Sequence, residues 1–102
     1  MKLVYGDFMK NDDENRLVLT FGSYRDLTKH NIELQNGLHL VFYNEDENRD
    51  GVRDDLVVEG IVVYDEKKER WVAEIDWDAI KNISQLTDEE CQRMGIIKDI
   101  QD

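Results

Sequence analysis

The sequence predicts a small, mainly β domain, α+β only through one C-terminal helix, built as a five- to six-stranded antiparallel meander. Three observations predict it. Short apolar–polar alternations of period two recur from Leu3 to Asp76, separated by polar turns. One of them, Leu56 to Tyr64, is apolar on both faces and therefore reads as the central strand. After residue 84 the pattern changes, and Thr87-Asp88-Glu89-Glu90 spells a helix N-terminus in which Thr87 and Glu90 each satisfy the other's backbone donor.

The elements follow in order. Leu3 to Tyr5 makes a first short strand. Asn11-Asp12-Asp13-Glu14-Asn15 is a polar turn too acidic to belong to a core, and Arg16 to Phe21 alternates as a half-buried strand. Gly22 to Asp26 reads as a turn, with Asp26 capping one helical turn through His30. Asn36-Gly37 sits between two alternating segments, Ile32–Gln35 and Leu38–Tyr43. That dipeptide tolerates positive φ at both positions, so it predicts a type I′ hairpin. Gly60, inside the central strand, predicts a bulge or a sharp bend. Asp65 to Glu69 is a turn, and Arg70 to Asp76 returns with Trp71, Ala73 and Ile75 on one face. The helix runs from Asp88 to Met94 and stops at Gly95. Cys91, Met94, Ile97 and Ile100 then form an apolar stripe. The chain is thus one domain over residues 1–102, with a β unit at 1–84 and a helical tail at 85–102. A bent central strand in meander order suggests a partly open SH3-like barrel, an architecture that carries no function with it.

Charge narrows the function classes. The 102 residues hold 24 acidic and 13 basic side chains, for a formal net charge of -11. Such a chain repels phosphate backbones and anionic membrane surfaces, and it attracts basic proteins and divalent cations. A single cysteine, Cys91, allows no internal disulfide, and the N-terminus lacks the apolar stretch of a secretion signal. The expectation is a cytoplasmic protein with the general look of small bacterial ones.

The segment Asn44 to Asp55 is the one place where residue spacing matches a known chemistry. Asp46, Asn48 and Asp50 alternate, Gly51 follows, and Asp54 lies three residues later. Calcium takes six to eight oxygens, and a loop offering oxygens at alternate positions around a glycine suits it. The ligands would be Asp46, Asn48, Asp50 and Asp54, with the Val52 carbonyl. The pattern breaks where a bidentate glutamate belongs, since Val57 stands there, and strands rather than helices flank the loop. Acidic turns are also built from these same residue types.

Other constellations specify less. Glu74 and Asp76 could share a strand face and support metal-dependent hydrolysis. His30, His39 and Cys91 have no spacing that suits zinc or nucleophilic catalysis. Trp77 could anchor a partner, as exposed tryptophans often do, together with Met94 and Ile97 of the helical stripe. The leading expectation is a non-enzymatic interaction or regulatory module with no cofactor and a basic protein partner. The alternative is a calcium-binding β domain using the Asp46–Asp54 loop, and the third reading is the small hydrolase.

Overall fold

The computed structural model describes residues 2–98, so Ile100 of the apolar stripe lies outside the described residues. Six strands form one sheet: β1 (Leu3–Tyr5), β2 (Leu17–Val18), β3 (His39–Asn44), β4 (Leu56–Asp65), β5 (Arg70–Ile75) and β6 (Lys81–Asn82). Two helices accompany it, α1 (Phe21–Lys29) and α2 (Asp88–Met94). The strand order is β1-β3-β4-β5-β2, with β6 paired to β4. All pairs are antiparallel except β1 with β3, which is parallel. The sheet is not closed, because its order ends at β1 and β2. It does not bear out the partly open SH3-like barrel, and its parallel β1–β3 pair departs from the expected antiparallel meander. The chain leaves β1, lays down β2 at the far edge, and returns through α1 to place β3 beside β1. A parallel neighbour requires such a crossover.

Three expectations fail for physical reasons. The strand expected over Arg16–Phe21 pairs only at Leu17 and Val18, and Phe21 opens α1 instead. Asp26, expected as a cap, sits inside that helix and is buried with Ser23. Gly22 and Ser23 read as turn residues, yet both serve packing. A Cβ at Gly22 would come within 2.6 Å of the Tyr5 ring, so glycine lets the helix lie against β1. The Ser23 hydroxyl donates to the Tyr5 carbonyl at 2.6 Å, and the Tyr5 N–H donates to the Asp26 carboxylate at 2.9 Å. These side chains occupy backbone groups that an edge strand would otherwise leave free to pair with another chain.

The expected hairpin at Asn36-Gly37 is a turn without a first strand, since residues 32–35 are not in the sheet. Only Gly37 has positive φ, at 88°, as a type II turn requires and a type I′ turn does not. The turn is pinned to β4 by the Tyr64 N–H on Asn36 Oδ1 (2.8 Å) and by the Gly37 N–H on the Val62 carbonyl (2.8 Å). Gly60 makes no bulge, for its register with β3 and β5 is unbroken. A Cβ there would meet Ile75 Cγ2 at 2.7 Å and Phe42 Cε2 at 3.0 Å, so the glycine makes room for its neighbours.

The pleat sorts the core into two layers. Val4, Leu40, Phe42, Val58, Val62, Ala73 and Leu17 share one face, under Leu27 of α1 and Leu19 before it. Val41 and Val57 share the other, under Leu86, Cys91 and Ile96. Apolar residues on both faces of β4 thus match its central position. No helix among the described residues is long and apolar enough to cross a membrane.

The acidic turn expected outside the core is tied into it. The Asp12 carboxylate is fully buried and accepts from the N–H groups of Glu14 (3.0 Å) and Arg16 (2.7 Å) and from Arg16 Nε (2.9 Å). Arg16 continues to Glu14 (2.8 Å) and Asp65 (3.0 Å), joining this turn to the end of β4.

The C-terminal helix forms as its local code predicts. The Thr87 hydroxyl accepts from the Glu90 N–H (3.1 Å) and Glu90 accepts from the Thr87 N–H (2.9 Å). Gly95 adopts φ 71° and closes the helix. Its N–H donates to the Gln92 carbonyl (3.3 Å), and the Ile96 N–H donates to that of Cys91 (2.9 Å). This is the Schellman closure, and it turns Ile96 inward onto Cys91. Gly95→Ala forces a Cβ into the left-handed region and is expected to lower stability by about 1 kcal/mol in urea unfolding. An unchanged midpoint would show that the helix end rearranges freely.

Candidate functional site

The acidic segment folds into a short hairpin of its own. Glu47 and Arg53 form an antiparallel bridge. The Asn48 N–H donates to the Val52 carbonyl (2.9 Å) and the Gly51 N–H to the Asn48 carbonyl (3.1 Å). Asn48 Oδ1 accepts from the N–H groups of Asp50 (2.9 Å) and Val52 (3.0 Å). At the base, the Asp54 N–H donates to the Asp46 carbonyl (2.8 Å). Local chemistry explains the turn, because an asparagine that bonds the backbone two residues on competes well with extended structure.

Residues 82–84 staple this hairpin to the body. Asn82 Nδ2 donates to the Asp46 carboxylate (2.9 Å) and to the Asp54 carbonyl (2.7 Å). The Asp54 carboxylate accepts from the Ser84 N–H (3.0 Å) and hydroxyl (2.6 Å). The Asn82 amide, with a further bond from the Glu47 backbone, holds the Asp46 carboxyl below its usual range.

The oxygens expected to ligate calcium are therefore engaged in hydrogen bonds within the chain. Asp46 faces Asn82, Asn48 faces its own turn, Asp54 faces Ser84, and the Val52 carbonyl accepts from Asn48. Asp50 is exposed at the tip. Among the described residues, the carboxylates that do converge are Asp12, Glu14 and Asp65, within 4.8 Å of one another, and the Arg16 guanidinium bonds all three. Melts in EDTA and in millimolar calcium at matched ionic strength are expected to superimpose. A filled site at 100 times its dissociation constant would add about 2.7 kcal/mol, or several degrees. A rise of that size, specific to calcium and abolished by Asp50→Ala, would make the loop a metal site.

The remaining expected site residues are dispersed. Glu74 is exposed on β5, whereas the Asp76 carboxylate accepts from the Asp78 N–H (3.0 Å) and caps the turn at Trp77–Ala79. Trp77 is half-buried. Its indole N–H donates to the Asn15 carbonyl (2.7 Å), and its ring meets Phe8 edge-on at 6.5 Å. It anchors the chain to itself. Met94 packs half-buried on the Cys91 layer, so α2 sits on its own sheet. His39 bonds Glu59 (2.9 Å), which also receives Arg93 of α2 (2.7 Å).

Ile97 alone of the expected partner residues stands in the open, at 86% exposure. The Schellman turn explains it, since Ile96 takes the inward position and the next residue points away. Across a groove of about 1000 Å³ it faces the hairpin, whose Val52 side chain is 59% exposed. Reading Val52 only as a backbone carbonyl overlooked that side chain. The available signal was an aliphatic residue in the middle of a segment with six carboxylates and two arginines. No protein-family model, curated protein or solved structure matches this chain.

Proposed function

We propose that this protein is a non-enzymatic interaction module whose partner is a basic protein. The observation that carries the reading is the hairpin Glu45–Asp55. It carries six carboxylates against two arginines; Asp46 and Asp54 turn to Asn82 and Ser84 and Asp55 to Arg53, while Glu45, Glu47 and Asp50 are exposed and, among the described residues, are in no ion pair. Internal hydrogen bonds and the Asn82 and Ser84 staples fix the hairpin's backbone, so its charges are presented in a set arrangement. Unpaired carboxylates on a chain of net charge -11 accelerate encounter with a cationic surface and disfavour acidic competitors.

The test is a pull-down at low salt, followed by calorimetry on whatever is recovered. A basic protein should bind saturably, with affinity falling about tenfold or more between low and moderate ionic strength. Recovery of nothing specific, or of a partner indifferent to salt, would count against this reading.

A further inference from the structure

We infer that the partner docks through a segment that presents one cationic and one aliphatic side chain, seated in two cavities that flank Arg53 of the Glu45–Asp55 hairpin. The inference rests on the reading just proposed and names its surface. The first cavity, about 390 Å³, is lined by Glu45, Asp46, Glu47, Gly51 and Arg53. The second is the groove of about 1000 Å³, whose apolar lining is Val52, Ile83 and Ile97. Arg53 lines both, so the two flank one strand of the hairpin.

The chemistry of each cavity selects its occupant. In the groove, the charged groups are engaged within the chain. Asp54 is held by Ser84, Arg53 by Asp55, and Lys98 by the carbonyls of Ser84 and Leu86. What the groove leaves unmet among the described residues is apolar surface, on Val52 from the hairpin and Ile97 from beyond α2. An aliphatic side chain between them removes that surface from water on both walls. In the first cavity the balance is reversed. Three carboxylates line it, and its one cation already bonds Asp55. Neither Glu45 nor Glu47 has an ion-pair partner among the described residues, and Arg49 lines neither cavity. A lysine or arginine head complements that wall. A second copy of this chain carries the same formal net charge of -11 over its whole length, which disfavours self-docking.

The experiment is a ¹⁵N-labelled titration of the full chain at low salt with a synthetic peptide of alternating lysine and leucine, and with a lysine-only peptide of equal charge. With the first peptide, amides of Glu45 to Asp55 and of Ile83 to Lys98 should shift together and saturate. Val52→Ser and Ile97→Ser alter exposed side chains and should leave the melting temperature unchanged. Each should weaken the lysine–leucine peptide about fivefold or more and leave the lysine-only peptide unaffected. Glu45→Gln with Glu47→Gln should weaken both peptides. Equal binding of the two peptides, insensitive to Val52→Ser and Ile97→Ser, overturns the inference and leaves the acidic-module reading standing. So do shifts confined to the exposed aromatic surface of Phe21 and Tyr24. Shifts of Val52 and Ile97 that follow protein concentration without peptide assign the groove to a second copy, and also overturn it. Failure of both peptides to bind at low salt removes the inference and the reading together.

Discussion

Asp12→Ala is expected to lower the free energy of unfolding by about 3 kcal/mol, read from urea titrations at pH 7. The carboxylate is fully buried and accepts three hydrogen bonds, two from backbone N–H groups and one from Arg16. Alanine leaves those two N–H groups beneath the turn without their acceptor, and it removes the innermost counter-charge from a guanidinium that is itself mostly shielded from solvent. Arg16 retains Asp65 and Glu14, which keeps the loss at the lower end of the range for a broken buried pair. Glu14→Ala is the control. Glu14 pairs with the same guanidinium from an exposed position, so its loss is expected to change stability by less than about 1 kcal/mol. Equal, small losses for the two variants would mean that water replaces the Asp12 carboxylate without penalty.

That contrast shows what the sequence disclosed and what it withheld. Features with a local cause were legible. Thr87, Glu90 and Gly95 set the ends of α2 through bonds spanning three to five residues, and the structure starts and stops the helix where they predict. The two-sided apolar pattern of Leu56 to Tyr64 placed β4 at the centre. Features whose partners lie far along the chain were not legible. Ser23 and Asp26 look like turn residues because their own neighbourhood offers no reason to bury them. The reason is Tyr5, 18 and 21 residues earlier. Asp12 looks like one more acid in an acidic turn until Arg16 links that turn to Asp65, 49 residues onward. At the candidate site the division is the same. The acidic loop stood out, while the groove it shares with Ile97 depends on how residues 82–84 are stapled to the hairpin. Spacing alone cannot show that the loop's oxygens are occupied.

Asp26→Ala is expected to cost about 2 kcal/mol at pH 7, read from urea titrations. Asp26 accepts the Tyr5 N–H at the outer edge of β1 and is paired with Arg25 at 3.2 Å. Without it that N–H lies against α1 with no acceptor, and the unpaired donor accounts for the loss. The same carboxylate gives the stability a pH dependence whose sign can be worked out. Burial alone would raise its pKa, but the Arg25 side chain, the Tyr5 N–H and the Tyr43 hydroxyl outweigh burial and hold it below the ordinary value of 3.8. The native state thus binds this proton more weakly than the unfolded chain does. The contribution is complete above the unfolded pKa and disappears as pH falls through the lower, native one. Asp12 is shifted the same way, since the bonds from Arg16 and Glu14 outweigh its burial. Wild type should therefore lose stability steeply below about pH 4, with both carboxylates contributing. Asp26→Asn should be the less stable protein at pH 7, and its deficit should shrink as the pH drops toward 2 because it lacks one of the two titrating groups. Urea titrations at several pH values between 7 and 2 measure the difference directly. Stability curves that stay parallel over that range would mean that Asp26 holds β1 by shape alone, with no help from its charge.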